Sequence, residues 1–538
     1  MAVRTEAAKR PDGSTLLARA RSATARRYAY LAAAVSVLLG FVLLHTVRLA
    51  ATPGMDPQEG YNLDFAWNLA HGRYQLFALS YGFAQHPPLF FLQLIAAIHF
   101  FGYDPLAIRS LAAMYAVLTC AALMLVSWRL AGPRVALWVS AVFTIMPLAL
   151  ANMRWGYTYA QLMFVGVLCF GAAWEYYQRG GQRWLVITAL LAGLATASDY
   201  EGVAWIVFVV LLALRADGTR SAIRSALLAC AIPVVSVAVS IIVTPAATRM
   251  DWVDTFFRAS STNPLLAVIE LFVNYFHFLS ADPWIILGIA GFFLIEGSRA
   301  RTFVASAVAV LALVVIKVRP VGASFHSAVP LLPFLALGAG VALDRGLRTL
   351  YAGILAWWQN VRPGASWVRL GNMLAALVVA IVIVAPVGIA TASDVVGIST
   401  SLSTPQDSIL GSPRDVGGVA HYIQRHARPG DLILASPEVA WMFDQSAKPL
   451  PATRSADVLQ TVAMTGKAAS FYPAGLPRSR FTYSVGLSSA RYVVVDNLIR
   501  QLAAPDGVAG LVPVLREVRG WNRVYASGQY VLYERPAA

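Results

Sequence analysis

YAYLAAAVSVLLGFVLLHTVRL, residues 28–49, is an apolar run of about 20 residues, enough to cross a hydrocarbon core as a helix. The stretch before it, Met1 to Arg27, carries Arg4, Lys9, Arg10, Arg19, Arg21, Arg26 and Arg27 against Glu6 and Asp12. A basic flank of this kind stays on the cytoplasmic side. The run does not end in a small-residue cleavage site, so it reads as a retained first span and not as a removed signal peptide. The other residues share its character: the 538-residue chain is 58% hydrophobic and 13% charged, with a mean hydropathy of +0.62. A soluble domain carries about 25% charged residues, so composition argues against a water-soluble globule.

Further apolar runs lie near Leu106–Trp128, Val135–Ala151, Gly156–Tyr177, Trp184–Ala197, Gly202–Leu214, Ala226–Val243, Trp284–Ile295, Thr302–Ile316, Gly322–Leu343 and Met373–Thr391. They predict a mainly α, polytopic bundle of about 11–13 spans. Five of the loops are basic, with Arg129 and Arg134; Arg179 and Arg183; Arg215, Arg220 and Arg224; Arg299 and Arg301; and Arg345, Arg348, Arg362 and Arg369. These loops alternate with the others. Placing them in the cytoplasm puts the N-terminus inside, and Thr52–Pro105 and everything after Asp394 outside. This parity needs the short apolar stretch Pro87–Phe101 to lie along the outer interface. It also accounts for much of the net charge of +15 as membrane orientation, without nucleic-acid binding. The expected location is the cytoplasmic (inner) membrane, surrounded by membrane lipids.

The expected domains are a basic tail over 1–27, a transmembrane domain over 28–395 with a first outer loop at 50–105, and an extracytoplasmic α/β domain over 396–538. In the last, Val416–Arg428 has helical spacing, Gly430–Ser436 and Arg491–Asp496 read as buried strands, and Arg523–Arg535 reads as a hairpin turning at Ser527-Gly528. Cys120, Cys169 and Cys230 sit in apolar runs and read as packing residues, not as disulfide partners or metal ligands. There is no Walker-type phosphate loop, which argues against a motor driven by cytoplasmic ATP.

Ionisable groups are costly at membrane depth and persist mostly where they line a cavity or bind something. Here they gather at outer span ends: Asp56, Glu59 and Asp64; Arg154 with Tyr157 and Tyr159; Asp199 and Glu201; Lys317, Arg319 and His326. A carboxylate can act as a general base and cations suit a phosphate, the pairing that transfer from a lipid-linked phosphate donor requires. Two other classes use the same charges. A carrier or flippase would line a path with them, although they sit at span ends and not mid-membrane. A non-catalytic relative would bind a partner through its outer domain. Structural roles compete as well: Asp56 and Glu59 can cap the helix starting near Tyr61, His86 precedes two prolines that force an extended turn, and Tyr157 and Tyr159 fit an interfacial belt.

QEGYNLDFAWNLAHGRY (58–74) followed by QHPPLFF (85–91) resembles the first outer loop of the C-type integral-membrane glycosyltransferases, the superfamily of aminoarabinose transferases and protein O-mannosyltransferases. Glu59, Tyr61, Ala66, Leu69, Gly72, Tyr74 and His86-Pro87-Pro88-Leu89 follow that family's order. The outer segment entered through VAHYIQRHARPGDLILAS (419–436) and left through YVLYERP (530–536) is also similar to that of bacterial members.

The resemblance implies an inverting transfer of a sugar from a polyprenyl-phosphate donor to a glycan, lipid or protein acceptor. It further implies an acidic base in the first loop, and Tyr61, His86, Arg154, Tyr159, Asp199, Glu201, Lys317, Arg319 and His326 as substrate-contact candidates. Three departures matter. Gln58 stands where the family has the first acid of its Asp-Glu pair, which leaves Asp56 or Glu59 as base. Tyr159 stands where the family usually has Asp, which puts a divalent cation as cofactor in doubt and leaves the metal requirement open, with no metal ligand assigned. Asp199 and Glu201 in ASDYEG (197–202) replace a family Lys, so donor phosphate falls to Arg154, Lys317 or Arg319.

Overall fold

The computed structural model describes residues 13–70, 87–243, 282–318, 329–359, 387–398, 410–445, 452–454, 487–503 and 511–537. It is a mainly α-helical membrane-type bundle followed by a small mixed sheet. The helices are α1 (Gly13–Thr46), α2 (Pro57–Ala70), α3 (Pro88–Phe101), α4 (Pro105–Ala131), α5 (Pro133–Ile145), α6 (Pro147–Arg154), α7 (Tyr159–Arg179), α8 (Gln182–Ser198), α9 (Val203–Asp217), α10 (Thr219–Val243), α11 (Trp284–Phe293), α12 (Ser298–Val318) and α13 (Leu332–Gln359), then α14 (Val387–Ile398).

Among the described residues, three stretches are long and apolar enough to cross a membrane: Arg27–Thr46, Pro105–Ala131 and Val329–Gly353. A fourth results if α5 and α6, bent by 63°, form one broken span. The other apolar runs of the sequence are helical over most of their described residues; most of Met373–Thr391 and the start of Gly322–Leu343 lie outside those residues. Helix α3, with 14 residues, measures about 21 Å at 1.5 Å per residue, short of a roughly 30 Å core. It buries Phe90, Phe91 and Leu94 and exposes Leu92 and Phe100.

Local chemistry sets the breaks. Asp104 caps α4 by accepting from the Leu106 N–H at 2.8 Å, with Pro105 at the first helical position. Gly132, at φ 92°, ends α4 in a conformation that side chains disfavour, and Pro133 opens α5. Pro147 lacks an N–H and crowds the turn before it, which sets the bend to α6. Cys120 and Cys169 are buried as expected, whereas Cys230 lies on an exposed face of α10.

The basic helix ends collect at one end of the bundle. Arg129 and Arg179 both pair with Glu175, Arg134 and Arg348 with Asp344, and Arg345 with Glu296. At the other end lie the termini that carry Asp56, Arg154 and Asp199.

After the bundle come α15 (Pro413–His426), β1 (Leu432–Ala435), α16 (Pro437–Ala440), β2 (Ala452–Arg454), β3 (Ala490–Val495), α17 (Asn497–Leu502), α18 (Leu511–Arg519), β4 (Asn522–Ser527) and β5 (Tyr530–Glu534). The sheet order is β2-β1-β3-β5-β4. β1 runs parallel to β2 and β3, while β5 runs antiparallel to β3 and β4, with Val493 opposite Tyr533. The β4–β5 hairpin turns at Gly528-Gln529, one position later than the expected Ser527-Gly528: Ser527 still pairs with Tyr530 at the end of β4, and Gly528 takes the positive φ of 53°. This unit is seated on the loop between α1 and α2, the expected first outer loop: Met55 and Gly411 exchange backbone hydrogen bonds of 2.7 and 2.9 Å, and Trp441 is buried in one cluster with Met55, Leu63 and Phe91.

Helices α11 and α13 pack through glycines. A Cβ on Gly291 would collide with the Gly338 carbonyl, and one on Gly338 with the Gly288 carbonyl. Small residues give membrane helices this close approach. Gly291→Ala is expected to force the helices apart at a cost of about 1–3 kcal/mol, measured as a lower unfolding temperature in detergent, whereas Gly353→Ala, in α13 of the same helix pair with open space around it, does not lower that temperature, since Ala is the better helix former.

Candidate functional site

The site begins at a buried ion pair. Glu59 lies in the first turn of α2 and Arg109 in the second turn of α4, and neither side chain is exposed to any degree. Arg109 Nε donates to Glu59 Oε1 at 2.8 Å and Nη2 to Oε2 at 2.7 Å. Its remaining donors reach the carbonyls of Leu49 and Pro53, each at 2.9 Å, and of Gly54 at 3.1 Å. Glu59 is equally occupied: Oε1 accepts from the Gly156 N–H at 2.9 Å and Oε2 from the Asp56 N–H at 3.1 Å. Forked geometry with every donor used is what a buried pair needs to offset its desolvation.

Arg154, at the end of α6, performs a similar task and not the expected phosphate contact. Its guanidinium donates to the carbonyls of Leu44, Val47 and Thr52 and to the Thr52 hydroxyl, with no exposed surface. It thereby caps the orphan carbonyls at the end of α1. The two arginines together fix residues 44–54, and the Trp155 indole adds a bond to the Gly54 carbonyl at 3.2 Å.

Asp56 follows this clamped loop. It is 5% exposed, and its Oδ1 accepts from the Gln58 N–H at 2.7 Å, the local turn expected of an acid ahead of a helix. Gly156 is held from two sides, its N–H on Glu59 and its carbonyl accepting from Asn62 Nδ2 at 3.0 Å. A Cβ there would strike Ile108. Thr158 Oγ1 then donates to Asp199 Oδ2 at 2.6 Å, while Asp199 Oδ1 accepts from the Glu201 N–H at 3.1 Å. Glu59 with Gly156, and Thr158 with Asp199, thus form two polar contacts on either side of Tyr157 at the ends of α2, α7 and α8.

The structure brings together Asp56, Glu59, Arg154, Tyr159, Asp199 and Glu201, all buried. Tyr159 packs edge-on to Tyr157 at 6.0 Å within the main hydrophobic cluster; the pair is therefore interior and not part of an exposed interfacial belt. Lys317 is in the last turn of α12, but its side chain, like that of Tyr61, lies outside the described residues. His86, Arg319 and His326 lie wholly outside them. Among the described residues no group of three His, Cys, Asp or Glu side chains could hold a metal ion. Sequence reasoning passed over Arg109, whose signal was available: it is a lone cation near the start of the apolar run Leu106–Trp128, costly there unless paired.

Asp282 ties a further element to this end. Fully buried, it accepts from the Trp284 N–H at 3.0 Å and the Leu148 N–H at 3.1 Å, joining the starts of α11 and α6. Burial pushes its carboxyl up to about 7, against the pull of those two bonds.

In fold the chain is similar to ArnT of Cupriavidus metallidurans bound to undecaprenyl phosphate, with a TM-score of 0.58 and 15% identity, covering 96% of this chain and 99% of that one. It is also similar to the archaeal oligosaccharyltransferase AglB of Archaeoglobus fulgidus, in complex with an inhibitory peptide and a dolichol-phosphate. There the TM-score is 0.54 and the identity 13%, covering 95% of this chain and 74% of that one. No protein-family model and no curated protein matches the sequence. At this identity the likeness is one of fold, shared with these two membrane transferase structures.

Two outcomes follow from the geometry. Glu59→Gln leaves the Arg109 charge buried without its partner and is expected to cost about 3–5 kcal/mol, read as a lower unfolding temperature in detergent at neutral pH. For Asp282 the folded value is raised, so its contribution is complete below the unfolded value of about 3.9 and is lost as pH rises through the folded one. Asp282→Asn is expected to flatten the fall in unfolding temperature between those values; an unchanged profile would contradict the assignment.

Proposed function

We propose that this protein is a glycosyltransferase that moves a sugar from a polyprenyl-phosphate donor to an acceptor at the outer face of the cytoplasmic membrane, with Asp56 as general base. The observation that carries the assignment is the division of labour in the first outer loop. Glu59 accepts four hydrogen bonds, two of them from Arg109, so it is committed to holding the loop. Asp56 is the acid that the clamped loop presents beside it. The fold likeness to a structure bound to undecaprenyl phosphate and to one bound to a dolichol-phosphate supports the donor class.

In the proposed reaction the Asp56 carboxylate takes the proton from the acceptor hydroxyl or amine as that atom attacks the anomeric carbon. The bond from that carbon to the donor phosphate oxygen breaks, and the lipid phosphate leaves with the electron pair. A single displacement of this kind inverts the anomeric centre. Lys317 and Arg319 are the cations proposed to stabilise the departing phosphate; Arg154, occupied by backbone carbonyls, is withdrawn from that role. Asp199 and Glu201 are proposed to face the acceptor. No step is routed through a metal.

The test is transfer from a labelled polyprenyl-phosphate sugar by purified protein. Asp56→Asn is expected to lower turnover by about 10²–10⁴-fold with an unchanged unfolding temperature, whereas Glu59→Gln loses stability. Lys317→Ala is expected to raise the apparent KM for the donor. Wild-type turnover retained in Asp56→Asn sinks the base assignment, and no transfer with any donor favours the carrier or partner-binding readings.

A further inference from the structure

Ser436, Glu438 and Asp496 lie together at one edge of the outer sheet. The first two follow β1 and the third follows β3. These strands are parallel neighbours, with β2 beyond β1 and β5 beyond β3. Open α/β sheets gather their functional groups at such a place, outside the carboxyl ends of adjacent strands where the winding changes direction. All three side chains are fully buried. Glu438 Oε1 accepts from the Tyr530 hydroxyl at 3.4 Å. Glu438 Oε2, Asp496 Oδ2 and the Ser436 hydroxyl make no hydrogen bond of ordinary length among the described residues.

The same edge is pressed onto the first outer loop. Helix α16, which carries Glu438, packs on α2. The Glu438 carbonyl accepts from Trp441 Nε1 at 2.8 Å, and that indole meets Tyr103 edge-on at 5.2 Å. The backbone at Glu438 therefore anchors the indole that plugs the outer domain into the α2–α3–α4 cluster.

The groups facing Glu438 are mainly acidic. From the first loop comes Asp56, from the end of β3 Asp496, and from β5 Tyr530. On α2, Glu59 is paired with Arg109 and Asp64 is buried. On α15, Asp415 accepts from Ser527 at 2.5 Å. Arg500 on α17 favours the charged form of Asp496. The side chains of Asp444 and Arg454, on neighbouring segments, lie outside the described residues. Burial first, and then the charges of Asp496 and Asp56, push Glu438 well above the usual carboxylate range; burial also pushes Asp496 up, against its bond from the Ile499 N–H. Like acids sharing a dry site cannot both ionise cheaply.

We propose that Glu438 is a positioning residue for Asp56: with Asp496 it forms a proton-dependent latch that seats the outer domain on the first outer loop. While the pair holds a proton the seat is closed. When both acids ionise they repel each other and Asp56, and the domain lifts. The sign follows from linkage: an acid raised in the seated state favours seating fully below its free value of about 4.3, and that contribution is lost as pH rises through the seated one.

Amide exchange at Met55 and Gly411 in the full-length protein reads the seat directly, with wild type compared at each pH against Glu438→Gln and Asp496→Asn. Asn can still accept the Ile499 N–H, so the second variant keeps the helix cap if the first fails to fold. Wild-type protection relative to the variants is expected to fall with rising pH, by up to about tenfold per unit for one proton. Parallel profiles in wild type and both variants overturn the proposal. Only the activity readout rests on Asp56 being the base: wild-type transfer should fall at alkaline pH and that of Glu438→Gln should not. If no protein transfers sugar, the glycosyltransferase reading fails, and the exchange comparison still decides the latch.

Discussion

The buried pair between Arg109 and Glu59 is the interaction on which this end of the bundle, with its loop between α1 and α2, depends. Taking two charges out of water costs several kcal/mol per ion, and the structure offsets that cost by using every donor of Arg109. Two of its bonds go to Glu59 and three to carbonyls of the loop between α1 and α2. Turn bonds within the loop use the carbonyls of Thr46 and Arg48, while those of Leu49, Thr52, Pro53 and Gly54 are satisfied by two arginines that arrive from α4 and α6. Asp56 is positioned as a consequence, because its own N–H is bonded to Glu59.

From that pair the order spreads outward through backbone contacts. Gly156 can approach Glu59 because it has no Cβ to meet Ile108, and Thr158, on the other side of Tyr157, bonds to Asp199. On the other side the Met55–Gly411 bridge joins the loop to the outer sheet. The acidic groups that a transferase would use are therefore held by the same contacts that hold the fold. This is why the geometry separates a structural carboxylate, Glu59, from a candidate base, Asp56, only three positions away.

Much of this was legible in the sequence. The apolar runs, the basic loops between them and the break after the last span give the architecture, since length and charge act residue by residue. The strands around Leu432–Ala435 and Ala490–Val495 and the hairpin at Gly528 follow from short apolar runs and turn chemistry. The clustering of Asp56, Arg154, Asp199 and Glu201 was also expected, because all lie at span ends on one side. Their individual roles were not. Arg154 looked like a phosphate ligand because an arginine near a membrane surface suits one, and nothing local shows that the end of α1 lies within reach.

By itself, then, the sequence determined a helical membrane-type bundle followed by a small α/β unit, and a set of charges gathered at one end. Only the tertiary structure decided which charges are spent. A hydrogen-bond partner 50 or more positions away, as with Arg109 and Glu59 or Arg154 and Thr52, leaves no periodic trace in the chain. The energy of a buried charge is set by the atoms that surround it, and those atoms are assembled only when the helices pack.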